Sequence, residues 1–150
     1  MSLSLGQIQN IIHTEYAKLV ACFGLSPIPC DVYEVNRGPG ETTAHGTDTR
    51  NATPGYTPSH LVLPQDPENL VNCTATQLPF PPKAWDPHSD EWPVWRIELW
   101  HEVVHQYQHQ ILNNWNPQDG DEGHAKGWPD ALDAVAKQFG ISRERLGGVL

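Results

Sequence analysis

Apolar positions recur at helical spacing near the N-terminus: Leu5, Ile8, Ile12, Tyr16, Leu19 and Phe23. A chain turning ~100° per residue places these on one face, which predicts a helix from about Ser4 to Phe23. Ser4 and Gln7 supply an S-x-x-Q capping box, and Gly24 supplies a stop. His13 lies beside the stripe and reads as a surface or packing residue. The period then changes. "CDVYEVN", 30–36, alternates like a strand. "TTAHGT", 42–47, reads as a second short strand weakened by Gly46, and "SHLVLP", 59–64, as a third ended by Pro64. Ten prolines between Gly38 and Pro93 exclude a mostly helical segment there, and 78–93 reads as a packed surface loop ahead of the alternative, a lid that contacts substrate. Two more helices follow, from about Val94 to Asn114 and from about Trp128 to Phe139. Pro129 suits the first turn of the latter and Gly140 its end.

The second helix carries "LWHEVVHQYQH", 99–109. With His101 at the origin of a helical wheel, His105 falls at ~40° and Glu102 at ~100°, so the three share one side. Val94, Ile97, Trp100, Val104, Tyr107 and Ile111 form the adjoining apolar face, while Gln106, Gln110 and Asn113 lie opposite. The His101–His105 side thus borders the buried side, as a metal on the floor of a cleft requires. Histidines one turn apart can grip a single metal ion. A glutamate directly after the first points toward the water that the metal holds. Zinc brings the pKa of such a water to about 7, and the glutamate can take its proton. This is the H-E-x-x-H pattern of zinc metalloproteases, with Val103 and Val104 at the variable positions. The pattern has only three fixed letters; a helix face with solvated histidines would read the same.

A catalytic zinc needs a third protein ligand and keeps one position open. "GDEGHAKGW", 120–128, offers His124, with Glu122 and Asp121 as rivals; the two acids also suit the N-terminus of the last helix. Glu98, one turn before His101, could orient a ligand imidazole or be a solvated helix-face glutamate. His109 lies a further turn along, ~6 Å from His105, too far to share a tetrahedral site. It reads as a supporting or surface residue. Tyr107 faces the core. The donor for a tetrahedral intermediate stays open among His60, Tyr56, Arg50 and a backbone amide.

Composition changes this picture only at its edges. One domain of 150 residues is the expectation, with real burial because six tryptophans are present. A net charge of −9 leaves no sign of the basic surface that nucleic-acid binding needs, so weak or no DNA affinity is expected. No run is apolar enough for a membrane span, and "MSLSLGQIQN" lacks the charged and apolar regions of a signal peptide. Three cysteines, Cys22, Cys30 and Cys73, without C-x-x-C, fit a reducing, cytoplasmic compartment.

"HEVVH" followed by a short connector and "GHAKGW" resembles the SprT-like zinc metallopeptidases, in which H-E-x-x-H precedes a histidine in an H-G-x-x-(F/W) context. His101, Glu102 and His105 match the first motif; His124 and Trp128 match the second. Ala125 stands where the family usually has Gly, and Pro129 is an unusual follower. "TTAHGT" and "SHLVLP" resemble two family strands more weakly. The resemblance implies an α+β minimal zincin: an N-terminal helix, a small mixed sheet, the H-E-x-x-H helix and a C-terminal helix. It implies His124 as third zinc ligand, Glu102 as general base and a protein or peptide as substrate. An exposed edge strand, "SHLVLP" for instance, would align that substrate by backbone pairing. Rival readings are a closed, non-catalytic zinc site and a zinc hydrolase of a non-peptide amide. The family's DNA-linked role is not expected, because the chain is acidic and has no cysteine ribbon.

Overall fold

The computed structural model describes residues 4–35, 54–65, 80, 93–118 and 127–140. Helix α1 (Leu5–Phe23) begins as its sequence dictates. The Ser4 hydroxyl accepts from the Gln7 N–H, and the Gln7 side chain accepts from the Ser4 N–H. Gly24 closes it at φ 65°, ψ 36°, a left-handed conformation that a Cβ would disfavour. The predicted stripe is the buried one: Ile8, Ile12, Tyr16, Leu19 and Phe23 all enter the core.

Strand β1 (Cys30–Glu34) pairs in parallel with β3 (Leu61–Gln65), from Cys30 opposite Leu61 to Glu34 opposite Gln65. A two-residue strand, β2 (Gly55–Tyr56), pairs antiparallel to the other side of β3, giving the order β1-β3-β2. Strand β2 escaped the sequence reading because two residues are too few to show alternation. Thr57 and His60 exchange backbone hydrogen bonds around Pro58 and Ser59, so β2 and β3 form a tight hairpin. Residues 59 and 60 therefore belong to the turn. This corrects the expectation of an exposed edge at "SHLVLP": its strand is the middle one and is paired on both sides at Leu61 and Val62.

Nor does Pro64 end the strand. Leu61 donates its N–H to Pro29, and Gln65 accepts from the N–H of Val35. Odd-numbered residues of β3 thus direct their backbone groups toward β1, and Pro64 faces the other side, beyond the reach of β2 among the described residues. The possible strand at 42–47 lies outside the described residues, as does all of 78–93 except Phe80 and Pro93.

Helix α2 (Val94–Tyr107) runs through the centre of the molecule. Every side chain from Trp95 to Gln106 is buried. The wheel had given α2 a polar far side, and here the structure differs. Gln106 is fully buried, accepting from the Tyr16 hydroxyl at 3.0 Å and donating to the Ser26 carbonyl at 2.9 Å. Gln110 also bonds the Ser26 backbone. Amides whose donors and acceptors are met can be buried at little cost, and hydrophobic periodicity is blind to that option. On another side of α2, buried Glu15 of α1 accepts from Arg96 and, at 2.8 Å, from Trp100 Nε1.

The α-helical part ends at Tyr107, seven residues before the predicted Asn114; position 108 starts a π-helical turn, Gln108–Leu112, and Asn113 closes it in the left-handed region at φ 54°. A π turn takes more residues per revolution than an α turn, so the phase slips. Ile111, assigned to the apolar face, is 46% exposed. Helix α3 (Trp128–Phe139) has the predicted limits and buries Trp128, Ala131, Leu132, Val135 and Ala136. The described residues form a small α+β fold with three α-helices and a three-stranded mixed sheet.

Burial also sets the response to alkali. Desolvation, helped by the Asp31 charge, pushes the Cys30 thiol up to about 12, and desolvation pushes the Tyr56 hydroxyl to about 12. The unfolded chain releases these protons near pH 8.5–10, roughly. Folded-state pKa values above the unfolded ones give stability that is complete below that range and lost as pH rises toward the folded values. The urea midpoint is therefore expected to fall steadily above about pH 9, with Tyr56→Phe removing part of the slope. A midpoint flat to pH 11, roughly, would contradict the burial of both groups.

Candidate metal centre

Helix α2 presents His101 and His105 on successive turns, with ring centroids 5.3 Å apart and planes at 78°. The Glu102 carboxylate joins them. One ligand atom from each of the three lies within 4.8 Å of the other two, and all three residues are buried. A buried His-Glu-His group of this kind could hold a metal ion. Two imidazoles and a carboxylate suit the first-row divalent metals, zinc included.

Helix α3 forms the wall. Trp128 stacks on His105 with centroids 4.4 Å apart at 28°, and its ring lies 4.8 Å from that of His101. Its position depends on Gly127, which begins α3 at φ 72°, ψ −18°. A Cβ at Gly127 would lie 2.4 Å from Asn114 Nδ2. Glycine is favoured there by the left-handed backbone conformation, a Cβ would also push the Asn114 side chain aside, and the close approach brings the start of α3 up to the end of the π turn. That turn contributes a further contact. Gln108, fully buried, places its Oε1 2.8 Å from His105 Nδ1.

Glu98 is fully buried, which removes the solvated alternative. His109 is half-buried and belongs to an aromatic cluster. Its Nδ1 shares a 2.7 Å hydrogen bond with the Tyr56 hydroxyl, and its ring is 5.5 Å from that of Trp115. The expectation that His109 would not join the ligand pair agrees with this placement. Tyr107 is half-buried, edge-on to Phe23 at 5.6 Å. His60 is engaged in the hairpin turn with Thr57 and Ser59, and Tyr56 with His109. Arg50, Asp121, Glu122 and His124 lie outside the described residues.

The sequence reading missed Gln108 and the Glu15–Arg96–Trp100 contact, and took Trp128 only as a letter in a motif. A signal existed for Gln108, which stands one helical turn after His105. Nothing in the local sequence marks Glu15 as a partner for a residue so far along the chain.

No family model matches the chain, and neither a curated protein nor a solved structure matches it. Among the described residues no helix is long and apolar enough to cross a membrane.

Proposed function

We propose that the protein is a zinc-dependent metallopeptidase, with His101, His105 and His124 as metal ligands and Glu102 as general base. One observation carries the reading: a buried glutamate whose carboxylate stands within 4.8 Å of ligand atoms on both histidines of an H-E-x-x-H helix. A site that only held a metal in place would have no use for a base there. Bound zinc would supply Lewis acidity and bring a water's pKa to about 7. Glu102 then takes the proton from the attacking water and delivers it to the leaving amine. The enclosure of all three side chains strengthens these electrostatic interactions by excluding bulk solvent.

His124 is favoured as third ligand by the matched second motif and by reach. It precedes Trp128 by four positions, a span of at most ~14 Å, and Trp128 lies against both imidazoles. The resemblance to SprT-like enzymes is what points to a protein or peptide as substrate. The structure gives no support to β3 as the strand that aligns it, because β3 is interior.

Purified protein is expected to carry about one zinc per chain. His105→Ala and His124→Ala should each lose it, and Glu122→Ala should keep it. Full zinc retention by a folded His105→Ala would end the assignment; loss in Glu122→Ala but not in His124→Ala would move the third ligand. A mixed peptide library set against a panel of small amides then tests the substrate class. Cleavage confined to the small amides would replace a peptidase with another hydrolase.

A further inference from the structure

The contact between Gln108 and His105 is not used by the reading above, although it rests on the same metal centre. A neutral imidazole carries its proton on one ring nitrogen and offers a lone pair on the other. Which nitrogen binds a metal is set by what the other one touches. Gln108 Oε1 lies 2.8 Å from His105 Nδ1. An amide oxygen can only accept, so Nδ1 carries the proton and Nε2 carries the lone pair.

The contact is held from both ends. Gln108 is fully buried, so its side chain has no solvent into which to swing. Its backbone is fixed as well. Its N–H reaches the carbonyls of Val104 and His105, and its own carbonyl accepts from the N–H groups of Asn113 and, at 2.9 Å, Asn114. These last two bonds close the π turn. That turn starts at Gln108 itself and ends the helix; π-type hydrogen bonds occur at helix C-termini and are frequent at functional sites. There is also a cost. Gln108 Nε2 is buried without a partner among the described residues, and a buried unmet donor is destabilising. A residue serving only to fill space would be better as an apolar side chain of the same length.

We infer that Gln108 is a positioning residue of the metal centre: its amide oxygen fixes His105 as the Nδ1–H tautomer and presents Nε2 as the ligand atom. The π turn is the backbone device that holds that oxygen in place.

The test compares wild type with Gln108→Met, Gln108→Glu and His105→Ala. Ring-nitrogen NMR of the metal-free proteins reads the tautomer, zinc competition against a chelator reads affinity, and thermal melts check folding. His105 is expected as Nδ1–H in wild type and Gln108→Glu, and as the commoner Nε2–H form in Gln108→Met. Zinc affinity is expected to fall ~10–100-fold in Gln108→Met, the usual effect of losing a contact to a ligand histidine. Gln108→Glu, which still accepts from Nδ1–H, should restore it, and a plain packing role predicts no such rescue. His105→Ala should lose zinc. An Nε2–H tautomer in wild type overturns the inference, as does an affinity in folded Gln108→Met within about threefold of wild type, well short of that effect. If wild type binds no zinc yet shows an Nδ1–H tautomer that Gln108→Met abolishes, the metal reading fails and the Gln108 contact stands.

Discussion

Glu102→Gln is expected to retain the fold and the zinc and to lose hydrolysis by ~10²–10⁴-fold, the usual contribution of a general base. The substitution keeps the shape of a side chain that is 5% exposed, so neither a cavity nor a clash is introduced. It removes the ability to accept a proton from the attacking water. Zinc content measured on the same samples separates this from metal loss, and circular dichroism separates it from unfolding. A zinc-loaded Glu102→Gln that turns over at the wild-type rate would remove the glutamate from the chemistry.

The largest expected effect on stability lies away from that chemistry. Glu15→Ala should cost ~3–5 kcal/mol, the penalty for breaking a buried ion pair from one side. Arg96 is 1% exposed; without Glu15 its guanidinium stays in the interior and loses the Glu15 carboxylate, and Trp100 Nε1 loses its bond to Glu15 Oε2. Against a typical domain stability of ~5–15 kcal/mol, this is a large share. Replacing both charges, as in Glu15→Leu with Arg96→Met, should recover much of the loss, because the expense lies in the leftover charge. Urea denaturation of the single and double variants decides the matter. A Glu15→Ala protein within about 1 kcal/mol of wild type would mean that the pair is not buried in solution.

The sequence shows the helices well for a physical reason. The capping box at Ser4 and Gln7, the glycines at 24 and 140, and the stripe of α1 are local signals, and each is fulfilled at its predicted position. His101, Glu102 and His105 were also legible, because their proximity follows from helical spacing alone. What could not be read depends on distant partners. Gln106 looked like a solvent-facing residue, since only Tyr16 and Ser26 make its burial tolerable. Strand β3 looked like an edge because its neighbour β2 is two residues long. The π turn has no periodic signature over five residues, and so Ile111 was assigned to the wrong side.

The enclosure of α2 on all sides has a consequence for how the centre can exchange what it binds. Local opening is cheapest where backbone hydrogen bonds are exposed and contacts few, and dearest in a core helix, where it approaches the free energy of global unfolding. From Trp95 to Gln106 the helix has no such weak side. Breathing of the ligand-bearing segment is thus coupled to the melting of the whole domain. Any metal ion held by His101, Glu102 and His105 would have to come and go by side-chain rotation or by movement of the elements packed around α2. Kinetic lability of the bound species and thermodynamic lability of the fold become separate properties, each open to selection without the other.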